Sequence, residues 1–74
     1  MNVETQDFYL TAYVCLQGLS MIELKDYGRR KLFVFEDNEK FQELKQRYYW
    51  NEANVSPLEY KKEIRRLKDL VMNS

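Results

Sequence analysis

The stretch Phe8-Tyr-Leu-Thr-Ala-Tyr-Val-Cys-Leu16 is apolar at every position except Thr11. Read as a helix, it has no side suited to water, because successive side chains turn by about 100° around the axis. Such a helix must be covered on more than one side. Either the other elements of the chain wrap it or a second protein chain does. Thr5 is read as its N-cap, with Asp7 in the first turn where the helix dipole favours a carboxylate. The helix is expected to run to about Gln17, with Gly18 as a left-handed C′ residue and Leu19 as the hydrophobic contact beyond it. Residues 1–4 are expected to be loose.

A second constraint lies in Lys31–Trp50, where a strand feeds directly into a helix. Lys31–Glu36 is rich in β-branched and aromatic residues. Leu32 and Val34 fall on one face and Phe33 and Phe35 on the other, so both faces need cover. Asp37 is read as the cap of a helix from Asn38 to about Asn51, with Phe41, Leu44 and Tyr48 as its apolar stripe. The preceding strand is placed at Ser20–Lys25, with Ile22 and Leu24 facing inward, and Asp26–Arg30 is the turn, where Gly28 supplies a positive φ. A lone two-stranded hairpin is marginal. Together with the all-round apolar helix, this leads to the expectation of a homodimer.

The last helix carries the most local signals. Ser56 and Glu59 form a capping-box pattern, Pro57 suits N1, and Val55 with Tyr60 forms a hydrophobic staple. Tyr60, Ile64, Leu67 and Val71 make the inner stripe; Lys61, Lys62, Arg65, Arg66 and Lys68 occupy the outer arc. The fold class expected is α+β, a single domain over residues 1–74 in the order helix–β-hairpin–helix–helix.

Composition excludes several functions. The 74 residues contain no histidine and one cysteine, which removes the commonest general base and makes a zinc site or an internal disulfide framework improbable. The longest apolar run is far short of the ~20 residues of a membrane span, and the acidic N-terminus is unlike a secretory signal. A cytoplasmic protein without a cofactor is expected. Net charge is zero, so no global field draws the chain to nucleic acid. Eleven aromatics (six Tyr, four Phe, one Trp) is a large number for this length. They suit either a small core or a partner surface.

Four constellations could carry function. The outer arc of the last helix, Lys61, Lys62, Arg65 and Arg66, could bind phosphate or an acidic partner. Its ordinary reading is a solvated face laced by pairs such as Glu63–Arg66 and Arg65–Asp69, and that is favoured. The turn residues Arg29, Arg30 and Lys31 could clamp phosphate or carboxylate, or merely protect a sheet edge by charge. Tyr48 is assigned to the core, while Tyr49 and Trp50, beside Arg47, are left open between core and a stacking or interface role. Cys15, in an apolar helix without histidine, is read as structural. The carboxylates Glu36, Asp37 and Glu39 fit helix capping better than cation binding. No catalytic constellation is visible, so an enzyme is not expected.

The motifs Thr5-Gln-Asp-Phe-Tyr-Leu10, Phe33-Val-Phe-Glu-Asp37, the series Ala53, Val55, Pro57, Tyr60, and Arg66-Leu-Lys68 resemble a family of short proteins from bacteria, phages and other mobile elements, a domain of unknown function. The resemblance covers nearly the whole chain. It implies no activity and no site residues, and by analogy it points to a small phage protein that binds and blocks a component of its bacterial host. The leading expectation is therefore a non-catalytic anti-defence inhibitor, for example of a CRISPR effector, acting on a host protein. The alternatives are a nucleic-acid binder or signalling-nucleotide sponge using the basic turn and last helix, and a structural oligomer.

Overall fold

The computed structural model describes residues 1–72. The elements are β1 (Asn2–Thr5), α1 (Phe8–Leu16), β2 (Glu23–Asp26), β3 (Lys31–Glu36), α2 (Glu39–Tyr49) and α3 (Pro57–Met72). This is an α+β domain, as the pattern predicts, with one strand more than expected. Residues 1–4, expected to be loose, instead lie almost wholly in β1. The sheet order is β1-β3-β2, with both pairs antiparallel. β3 is therefore central, and a three-stranded sheet replaces the marginal hairpin.

Register explains how β3 can be apolar on both faces. Phe33 stands opposite Thr5 and Leu24, and Phe35 opposite Val3. That face receives the helices: Phe8 meets Phe33 edge-on at 5.8 Å, and Phe35 lies 5.4 Å from Phe41. On the other face Leu32 is opposite Lys25, and Val34 is opposite Glu4 and Glu23. Among the described residues these two lie outside the main core cluster, yet Leu32 is 8% and Val34 1% exposed. Lys25 forms an ion pair with Glu4, joining one edge strand to the other across β3. The aliphatic stems of these long side chains roof the apolar pair while their charges stay in water. The second face is thus covered within one chain.

The same holds for α1. Leu10, Thr11, Ala12, Tyr13 and Val14 are all buried. The sheet and α2 lie on one side and α3 on another. Leu16 and Gln17 border Val55 and Ser56, and Phe8 borders Val71, so α3 runs antiparallel to α1. Thr11, the one polar position, donates its hydroxyl to the Asp7 carbonyl at 2.9 Å. Of the two ways to cover the helix, the structure uses wrapping by its own elements.

Several local assignments shift. Asp7, not Thr5, caps α1: its Oδ1 accepts the Leu10 N–H at 3.0 Å. Thr5 belongs to β1, and its hydroxyl accepts the Asp7 N–H at 3.0 Å. Asn38, not Asp37, caps α2, accepting the Phe41 N–H at 2.8 Å. Asp37 is held elsewhere: its N–H donates to the Met1 carbonyl, and its carboxylate accepts from Gln42. β2 begins at Glu23, and Ile22, expected inside, is 51% exposed. Leu19 and Met21 pack against the core and then Leu24 does, so the alternation slips by one residue in between and leaves Ile22 outside.

The exits of α1 and α2 are both Schellman motifs. After α1, Gly18 has φ 100°, with Gly18 N–H to the Cys15 carbonyl (3.0 Å) and Leu19 N–H to that of Val14 (3.3 Å). After α2, Asn51 takes the left-handed role at φ 59°, and Glu52 N–H reaches the Arg47 carbonyl at 2.8 Å. This ends α2 at Tyr49, ahead of the expected Asn51. On α3 the predicted stripe holds: Leu67 is fully buried, and Tyr60, Ile64 and Val71 pack against the core.

Ser56 occupies the N-cap position of α3, its carbonyl accepting the Tyr60 N–H at 2.9 Å. The reciprocal capping box does not form: among the described residues the Ser56 hydroxyl makes no hydrogen bond, and Glu59 turns towards Lys62 at 4.0 Å. Two substitutions test the difference. Asn38→Ala removes a real cap and should cost about 0.5–2 kcal/mol, whereas Ser56→Ala should cost less than about 0.5 kcal/mol. Urea midpoints at equal slope measure both; an equal or larger loss for Ser56→Ala would contradict the assignment.

Candidate functional site

The most distinctive surface forms where the start of α1 meets the end of α2 and the side of α3. Tyr9 is 53%, Tyr49 55% and Trp50 68% exposed. Exposed aromatics in this number are costly to leave in water, and here one of the three, Tyr49, is held by a tertiary side-chain bond, while a second bond ties the backbone of Tyr9 to Tyr60. The Tyr49 hydroxyl donates to Asp7 Oδ2 at 3.0 Å, the same carboxylate whose other oxygen caps α1. The Tyr60 hydroxyl donates to the Tyr9 carbonyl at 2.9 Å. Tyr48 stacks edge-on against Tyr49 at 5.1 Å and leans on Tyr13 at 6.2 Å, which joins the surface rings to the core.

Burial raises the phenol of Tyr60 to about 12, with Tyr48, Asp7 and Tyr9 adding to the shift. Tyr48 is raised by burial and then by Asp7 and Tyr9. Tyr49 is raised by burial and then by its bond to Asp7. All three therefore remain neutral donors at physiological pH. The result is a face with aromatic bodies and neutral phenol tips gathered around the Asp7 carboxylate. This chemistry matches the centres of protein interfaces, where Tyr and Trp are enriched.

The expected site residues separate into different places. Tyr48 packs against the core, as expected, while Tyr49 and Trp50, the two left open, are on the surface. Arg47 pairs with Glu43 at 3.0 Å, one turn back on α2. Arg29, Arg30 and Lys31 line a cleft with Gln6, Phe8, Phe33 and Val71, beside the C-terminal end of α3. Lys61, Lys62 and Arg65 gather with Leu58 near the N-terminal end of that helix. Ten residues separate Lys61 from Val71, ~15 Å of helical rise, so the two basic regions do not form one continuous face. Arg66 leaves the arc altogether: it pairs with Glu63 and lines a groove with Cys15.

Cys15 is half-buried, and burial, aided by Glu63, raises its thiol against the opposing pull of Arg66. A raised thiol is the unreactive kind, in keeping with the structural reading. Asp7, Tyr9 and Tyr60 were not singled out by sequence as site residues. The count of six tyrosines hinted at such a surface, but nothing local says which of them converge. Among the described residues no cluster of His, Cys, Asp or Glu is placed to hold a metal, and no helix is long and apolar enough to cross a membrane.

No curated protein and no solved structure matches the chain. One family model does, over residues 1–73, and its description is Domain of unknown function (DUF5659). The compact α+β domain with its pre-ordered tyrosine face is thus that of a chain belonging to the DUF5659 family.

Proposed function

We propose that the chain is a small non-catalytic binding protein of a phage or mobile element, acting in the cytoplasm of a bacterial host by occupying a host defence protein such as a CRISPR effector. The observation that carries this reading is the exposed aromatic surface of Tyr9 and Tyr49, with Trp50 exposed next to Tyr49 in the chain; the Tyr49–Asp7 bond orders the Tyr49 ring in advance, and the Tyr60 hydroxyl ties the α1 backbone at Tyr9 to α3. Ordering before contact lowers the entropic cost of docking. Zero net charge favours a protein over a long nucleic acid as the occupant. The phage origin rests on the resemblance set out above, and neighbouring anti-defence genes would support it.

The test is capture from host lysate by the immobilised chain, followed by titration of the retained protein and assay of its activity. Wild type should retain one host protein and inhibit it. Tyr49→Ala with Trp50→Ala should weaken binding by at least about thirtyfold, the loss of one interface hot spot of ~2 kcal/mol. Retention that ignores both rings, or capture of nothing, would overturn the reading. A second copy of the chain is the competing occupant. Light scattering at micromolar concentration separates the two: the mass of one chain, 9.1 kDa, leaves the face free, and twice that mass, abolished by the same two substitutions, assigns it to self-association.

A further inference from the structure

The cleft beside the hairpin turn is separate from the aromatic face and has a different chemistry. Its volume is about 380 Å³, within the usual size of small-molecule sites. Arg29, Arg30 and Lys31 form its rim, and among the described residues no carboxylate lines it. The nearest acid on the turn is Asp26, paired with Lys31 at 2.6 Å. One carboxylate against three cations leaves a net charge of +2 at this end of the hairpin.

The rim is braced. Asp26 Oδ1 accepts the Gly28 N–H at 2.8 Å, and the Tyr27 N–H donates to the Arg30 carbonyl at 2.9 Å, closing the turn. Lys31 and the Gly28 N–H hold the Asp26 carboxyl below its ordinary value, so these contacts persist at any physiological pH. With the Gln6 amide oriented so that its oxygen faces Arg30, that oxygen accepts from Nε at 2.8 Å and from Nη2 at 3.2 Å. One edge of the guanidinium is thereby fixed, and Nη1 remains to donate. Arg29 has no ion-pair or hydrogen-bond partner among the described residues. The rest of the lining, apart from Gln6, is apolar: Phe8, edge-on to Phe33 at 5.8 Å, Phe33 itself and Val71.

We propose that this cleft binds a mononucleotide, with the phosphate on Arg29 and Arg30 and the base against Phe8. Arginine suits a phosphate because its planar fork donates to two oxygens at once, and an aromatic wall accepts any base by stacking. A longer nucleic acid does not fit as well, because the cations end at the turn and the next basic cluster lies at the far end of α3. The proposal does not depend on the aromatic face, since no residue is shared.

The experiment is titration of the full chain with adenosine 5′-monophosphate, with inorganic phosphate and adenosine as separate arms, read by amide chemical shifts and calorimetry. Shifts are expected at Phe8 and across Arg29–Phe33, with Trp50 fluorescence unchanged. Phosphate alone and adenosine alone should each bind at least about tenfold more weakly than the nucleotide. Arg29→Ala with Arg30→Ala should weaken binding by at least about tenfold, the loss of charge-assisted bonds. Gln6→Ala, at an exposed position, should weaken it severalfold with the melting curve unchanged. Phe8→Leu should weaken the nucleotide and leave phosphate unaffected. No shift at millimolar nucleotide, equal affinity for phosphate and nucleotide, or binding insensitive to the two arginines would each overturn the site.

Discussion

Leu67→Ala is expected to remove most of this domain's stability. Leu67 is fully buried, near the middle of the inner stripe of α3, and belongs to the cluster that includes Leu10, Val14, Phe41 and Leu44. Truncating a buried leucine costs about 2–5 kcal/mol, the transfer loss plus the cavity left behind. A core of this size rarely supplies more than about 3–5 kcal/mol in total. The variant should therefore be largely unfolded at 37 °C, or lose its cooperative urea transition, by circular dichroism. Leu58→Ala is the control. Leu58 is 60% exposed on the same helix and should change stability by less than about 0.5 kcal/mol. Equal effects at the two leucines would mean that α3 does not pack as described.

Deleting residues 1–5 should be about as damaging, although nothing in their sequence suggests it. β1 pairs with β3 at four positions, from Asn2↔Glu36 to Thr5↔Phe33. Val3 packs against the core, the Met1 carbonyl accepts the Asp37 N–H, and the Thr5 hydroxyl accepts the Asp7 N–H. The deletion turns the most apolar strand of the chain into an edge and removes Glu4 from the roof over Leu32 and Val34. Each lost hydrogen bond is worth about 1 kcal/mol, and several go together. The shortened chain should lose hydrogen-exchange protection across Phe33–Phe35 and melt without a sharp transition. A melt superimposable on that of the full chain would show that β1 is dispensable.

The substitution and the deletion differ in how far they could be foreseen. Leu67 was legible: Tyr60, Ile64, Leu67 and Val71 recur at helical spacing, and a stripe of that kind must face inward whatever it meets. The two-faced β3, the Phe41–Leu44 stripe and the left-handed Gly18 were legible for the same reason, because each is set by neighbours within one or two turns of chain. Asp7 and Asn38 as caps were each missed by a residue or two, since Thr5-Gln-Asp7 and Asp37-Asn38 both offer two acceptors. The choice between them falls to whichever residue the sheet does not claim. β1 claims Thr5, and the Met1 carbonyl and Gln42 claim Asp37.

The sequence by itself determined the elements and their inner faces: an apolar helix, a strand apolar on both sides, two amphipathic helices, and a single domain with neither a histidine nor a cysteine pair. Tertiary structure decided what covers those faces. Asn2-Val-Glu-Thr5 has one apolar residue and no periodicity of its own; it is a strand because β3 has an unpaired edge that a backbone can satisfy. The surfaces proposed for binding arise in the same way. Tyr49 reaches Asp7 across 42 residues and Tyr60 reaches Tyr9 across 51. Gln6 and Phe8 meet the hairpin turn only because the start of α1 lies against β3. Local spacing encodes which way a side chain points, whereas convergence of distant side chains depends on how the packed elements cross, and that is set by the whole core at once.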